Sequence, residues 1–295
     1  MITPSPLISV WISAVLNSLV PIIAYFIGGK LFPLSFIFWG SLTGFAFFVL
    51  SVKEYRIYFR KDLFFKFAGI GFFGSVLPIV LMLAALEFTS PSNIAILLQS
   101  EALYSIVLSR LLLKEKTNLK IILAASLIAL GTGIILFRER VTFRWKGDLV
   151  ALLIPLFYQT SHIISKKLPR SVSHSVLASA RALFASLTSL PLALVFSGAE
   201  VISGFNSKTF LLVILYGLAI MFVNNTLWYK AILNMDLSKA TGIVLTYPAF
   251  TMLISSFAGI EKIQPYQIIG FLFSMCGAFW LTKISRNSSK CSSRR

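Results

Sequence analysis

A chain that repeats one kind of segment nine times has few folds open to it. Residues 7–27, 31–52, 67–86, 88–100, 121–137, 182–199, 209–229, 240–260 and 263–282 contain no charged side chain. About 20 such residues in a helix, rising about 1.5 Å each, cross a hydrocarbon core of about 30 Å. Only 13% of the residues are charged, against about 25% in soluble domains. The runs predict an all-α membrane protein. Its ten transmembrane helices fall at about 7–27, 33–52, 63–86, 92–112, 119–137, 147–165, 174–196, 209–232, 239–259 and 265–283. The first run lacks a basic leader and a small-residue cleavage site, so it reads as a span and not as a removable signal.

The net charge of +17 raises nucleic acid as a partner, and its distribution argues against that. The basic residues gather in short loops between apolar runs, and alternate loops differ. Lys53, Arg56, Arg60, Lys61, Lys114, Lys116, Lys120, Lys166, Lys167, Arg170, Lys230, Lys239, Lys283, Arg286, Lys290, Arg294 and Arg295 fall on one side. Lys30, Arg138, Arg140, Arg144, Lys146, Lys208 and Lys262 fall on the other. Seventeen against seven places the first side, and both termini, in the cytoplasm. The bilayer is then the standing partner, in the cell (inner) membrane. Cys276 and Cys291 form no CxxC pair, so no disulfide framework or thiolate metal site is expected. No cofactor is expected either: Gly69, Gly71 and Gly74 satisfy GxGxxG but open a membrane helix with no strand before it, where close helix packing explains them better.

The halves repeat. Sliding the second half against the first by 146 positions pairs Glu115-Lys116 with Glu261-Lys262, Gly131 with Gly277 and Ser92 with Ser238. Five helices per half is an odd number, so the second half crosses the membrane upside down. The expected units are residues 1–140, residues 141–284 and a basic tail at 285–295. Inverted repeats are a transporter architecture, with the solute site near the midplane.

Three stretches carry a family resemblance: ALEFTSPSNIAILLQSEALYSIVLSRLLLKEK (85–116), GDLVALLIPLFYQTSHIISKKL (147–168) and GIEKIQPYQIIGFLFSMCGAFWL (259–281). The chain resembles the EamA type of the drug/metabolite transporter superfamily. Glu101 matches the acid of a common Glu-Pro pair, with Ala102 in place of the proline; Lys114 stands where glycine is common, and Glu115 matches a second acid. The second half keeps the proline as Tyr247-Pro248 and lacks the acid. The resemblance implies a central cavity lined by helices 1, 3, 4, 6, 8 and 9, with helices 5 and 10 as scaffold. It also implies a small organic solute: an amino acid, amine, nucleoside, S-adenosylmethionine or drug.

Glu101 lies nine residues beyond Ser92, about 14 Å into the bilayer. An acid there costs about 2.5 to 3.5 kcal/mol on insertion scales and normally faces a cavity or a partner. Ser105 and Ser109 continue its face at i+4 and i+8, and the 146-residue shift lays Tyr247, Thr251 and Ser255 on the matching stripe of helix 9. The alternative is a protonated Glu101 bonded to a neighbouring helix. Asn224 and Asn225, with Trp228 one turn on, serve either as interhelical glue or as solute contacts. Tyr158 and His162 share a face of helix 6 with Gln159 beside them and are candidate solute contacts, His162 being either a proton relay or a packed, hydrogen-bonded imidazole; Asn17, followed by Pro21, is a further candidate or marks a kink with satisfied backbone. Arg181, about 10 Å into helix 7, has a stem long enough to snorkel toward the interface and is expected in a structural or lipid-facing role and not in solute binding.

The expected protein is a secondary transporter working by alternating access on a cationic or zwitterionic solute, coupled to protons or exchange. No HExxH, GxSxG, Walker or paired-acid pattern points to an enzyme. The alternative function is a membrane-embedded enzyme or lipid-handling protein using the same cavity.

Overall fold

The computed structural model describes residues 4–28, 31–52, 54–137, 144–198, 201 and 206–292, which form helices and turns with no strand among them. Ten helices follow in order: α1 (Pro6–Ile27), α2 (Pro33–Val49), α3 (Lys61–Leu86), α4 (Pro91–Leu112), α5 (Leu119–Leu136), α6 (Trp145–Lys166), α7 (His174–Ser197), α8 (Ser207–Asn234), α9 (Leu237–Phe257) and α10 (Pro265–Ser292). Nine of these described helices are long and apolar enough to cross a membrane, and α2, at 17 residues, is the shorter one. Seventeen residues still reach the lower end of the spanning range. The chain is an all-α membrane protein of two inverted five-helix repeats. Lys30, Lys53, Arg138, Arg140, Arg294, Arg295 and the expected boundary at 140/141 lie outside the described residues, as does the side chain of Lys290. The last helix runs on to Ser292, past the expected start of the tail.

Five of the helices are interrupted, and of these the sequence raises a kink in α1 alone. In α1 the break falls at Ser18, between Asn17 and Leu19, because Pro21 has no N–H to give the Asn17 carbonyl. A π turn occupies Phe72–Val76 of α3, ahead of Pro78. Another occupies Gly217–Asn224 of α8. In α4 a 3-10 turn covers Leu98–Ser100, and α9 stops at Val244 and restarts at Tyr247, with Pro248 second in the new segment. The 146-residue shift carries 72–76 onto 218–222, inside the second π turn, and 98–100 onto 244–246, the second gap. Both halves therefore bend at the same places, although only one of each pair carries the proline.

Lipid tails are as apolar as leucine, so close backbone approach and not hydrophobic exclusion holds such helices together. Along α5 and α10, a Cβ on Gly131 would strike the backbone of Gly270 and Ser274, and one on Gly277 would meet the Ala124 carbonyl at 2.8 Å. Gly44 of α2 and Gly217 of α8 meet in the same way. On α4 the sides separate cleanly. Leu103, Val107 and Leu111 are 59%, 52% and 68% exposed and form the lipid face, while Ser105 and Ser109 are buried.

Candidate functional site

The interrupted helices enclose a cavity of about 920 Å³, at the upper end of the size range of small-molecule sites. All six helices expected to line it do so, and α2, α5, α7 and α10 add residues at its wall or rim. At one end its lining reaches the helix ends and loops at Leu31, Phe32, Pro91, Ser92, Ile260 and Glu261. These belong to the face that carries fewer basic residues.

Glu101 is the first residue after the 3-10 turn of α4. That position gives the carboxylate the positive end of a half-helix, which favours its charge. Gln99, within the turn, is fixed from the side by α5: the Thr132 hydroxyl donates to its Oε1 at 2.8 Å. The carboxylate lines the cavity and accepts from Gln159 Nε2 at 2.8 Å. The same amide reaches Thr241 Oγ1 at 3.4 Å, so one α6 side chain spans the breaks of α4 and α9. Gln159 itself is fully buried behind the lining.

Of the other expected site residues, Asn17, Tyr158, His162, Asn224, Asn225, Trp228, Tyr247 and Thr251 all line the cavity. Asn224 donates from Nδ2 to Asn17 Oδ1 at 3.1 Å, joining α8 to the break of α1, while its Oδ1 has no partner among the described residues. Asn225 donates to the sulfur of Met221 at 3.5 Å. The Thr251 hydroxyl lies 3.1 Å from the carbonyls of both Ser18 and Tyr247, satisfying backbone that the α1 break exposes. Trp228 Nε1 donates to His162 Nδ1 at 3.3 Å, with rings crossing at 63°. An imidazole that accepts at Nδ1 is neutral and carries its proton on Nε2. Ser105 is placed elsewhere: it is fully buried and outside the lining. The cavity floor lies at the level of Glu101, and below it α4 closes against α6 and α9.

Arg181 corrects the sequence expectation. Instead of snorkelling to lipid it turns inward and lines the cavity. Its Nε donates to Ser75 Oγ at 3.1 Å and its Nη2 donates to the Gly74 carbonyl. That carbonyl is available because Pro78, four residues on, has no N–H to offer it. The proline and the glycine both stand in the sequence, but only the fold brings Arg181 to them.

The opposite face is latched. Glu115 Oε1 accepts from the Leu237 N–H at 2.8 Å and Oε2 from the Ser238 N–H at 3.3 Å, which caps the start of α9. Lys166 Nζ stands 3.0 Å from the same carboxylate and donates to the Met235 carbonyl at 2.7 Å. The repeat mates of Glu115, Leu237 and Ser238 are Glu261, Pro91 and Ser92, and these line the cavity.

The EamA-like transporter family matches this chain twice, over residues 5–137 and 145–283. No curated protein sequence matches it. Among solved structures, one titled only "Crystal structure of protein" is similar at 17% identity, covering 95% of this chain and 98% of that one with a TM-score of 0.82. At that identity the likeness shows the fold alone.

Proposed function

We propose that this chain, which belongs to the EamA-like transporter family, carries a small cationic or zwitterionic organic solute across the cytoplasmic membrane by alternating access. Membership makes it a membrane transporter of the drug/metabolite transporter superfamily. The finer reading rests on one observation: a carboxylate, Glu101, presented to a cavity of about 920 Å³ at the matched breaks of two helices. Tyr158, Trp228 and Tyr247 around it supply faces for a cation, and the Asn224 Oδ1 supplies an acceptor. Discontinuous helices at a repeat interface are where secondary transporters hold solute and coupling ion.

The Glu115 latch on the face richer in basic residues supports a conformation whose cytoplasmic side is shut. Glu101, whose carboxylate accepts from the Gln159 amide and faces the cavity, is the group able to hand a proton to the solute cycle. Reconstituted protein that accumulates a labelled amine or amino acid inside liposomes supports this reading. Turnover of lipid by the purified protein, with no accumulation, would replace it with the enzyme or lipid-handling alternative.

A further inference from the structure

We infer that Arg181 is the anion-binding half of this cavity, and that the transported solute carries a planar oxyanion, in the simplest case a carboxylate, as well as its ammonium group. The inference rests on the proposal that Glu101 recognises the cation.

Gly74 sits at the middle of α3 and Glu101 near the middle of α4, so the guanidinium held at Gly74 and the carboxylate both stand near mid-membrane. A charge at that depth persists where it meets a partner or a water-filled cavity, and it marks a pathway. Among the described residues no acidic side chain forms an ion pair with Arg181. Its partners are a carbonyl and a hydroxyl, which orient the group without neutralising it. A guanidinium has five N–H donors; with Nε and one Nη2 hydrogen engaged, the two on Nη1 and the second on Nη2 are left for the cavity. That is the planar fork that binds a carboxylate through two parallel bonds.

The support for the fork is built into α3. Pro78 and the π turn at Phe72–Val76 release the Gly74 carbonyl. Glycine at 74 lets α6 pack closely on this turn, since a Cβ there would stand 2.5 Å from Ser161 Oγ, and the Arg181 guanidinium lies directly against it, with Cζ 3.4 Å from the same point. A lipid-facing arginine needs none of this. One cavity with a fixed cation and a fixed anion favours a solute with both charges over one with either alone.

Three probes of equal skeleton test this on the purified full-length protein, by titration calorimetry: phenylalanine, phenethylamine and 3-phenylpropionate. Charge-assisted hydrogen bonds predict that phenylalanine binds about tenfold or more tighter than either single-charge probe. In Arg181→Gln the ratio of phenylalanine to phenethylamine affinity should fall toward one, and Arg181→Lys, which keeps the charge and loses the fork, should fall between. A purely structural arginine would lower stability and leave that ratio unchanged. Should Arg181→Gln fail to fold, the wild-type comparison decides alone. Equal wild-type affinity for phenylalanine and phenethylamine, with phenethylamine binding lost in Glu101→Gln, overturns the anion subsite and keeps the cation reading. Phenethylamine binding that Glu101→Gln leaves unchanged overturns the cation reading instead. If none of the three binds, both fall.

Discussion

Glu101 and Tyr247 occupy the same place in the two halves: each is the first residue after the interruption of its helix, α4 in one repeat and α9 in the other. Two breaks at matched depth open the backbone on both sides of the pseudo-twofold, and different side chains occupy them. An acid stands on one side and a phenol on the other. A symmetric frame thereby makes an asymmetric cavity, which recognition of one solute requires. Gln159 ties the two breaks together through Glu101 and Thr241, so movement of one half-helix is felt by the other.

The latch at the shut face gives the first prediction. Glu115→Gln removes the charge that holds Lys166 and weakens the cap on α9; loss of a cap costs about 1 kcal/mol. In a background with Cys276 and Cys291 replaced by serine, a cysteine placed at the buried Thr241 should label from the cytoplasmic side several-fold to about tenfold faster in Glu115→Gln. An unchanged labelling rate would show that Glu115 braces α9 without gating the cavity.

Lys114 gives the second. Its φ of 57° is the only positive value at a non-glycine residue among those described, and it directly precedes Glu115. A side chain in that left-handed conformation costs about 1 kcal/mol, which explains why glycine is common there in the family that the sequence resembles. Lys114→Gly should raise the thermal midpoint by about 2 °C or more. A lower midpoint would mean that the lysine contributes something its backbone strain conceals.

How much of this stood in the sequence differs from part to part. The apolar runs locate the helices, because burial in lipid demands about 20 uncharged residues however they pack. The repeat register is equally visible, through Glu115-Lys116 and Glu261-Lys262. The π turns and the α4 break are not: α8 and α4 bend without a proline, obeying a partner half that the local residues do not reveal. Ser105 and Ser109 form a polar stripe on any helical projection, yet tertiary closure below Glu101 puts them in packing and not in the cavity. The inward turn of Arg181 is hidden for the same reason, since its partners Gly74 and Ser75 lie more than 100 residues away in the chain. Glu115 could be picked out, but its task depends on Leu237 and Ser238.

Orientation gives the third prediction. With residues 53–61 and the tail in the cytoplasm, a cysteine replacing the exposed Arg56 should stay unlabelled by a membrane-impermeant thiol reagent added to intact cells and react once the cells are opened. Labelling from outside would invert the topology and, with it, the assignment of the latch to the cytoplasmic face.

The central claim is that Glu101 recognises the solute or its coupled proton. The direct test takes the metabolite that most raises the thermal stability of the purified protein, radiolabels it, and follows its uptake into proteoliposomes by wild type and Glu101→Gln across a pH series. Gln keeps the size and a bond to Gln159 but cannot ionise. Saturable uptake by wild type, with uptake by the variant lost or stripped of its pH dependence while its folding is intact, is the result predicted. Equal rates and the same pH profile in the two proteins would reduce Glu101 to a protonated packing residue and contradict the account.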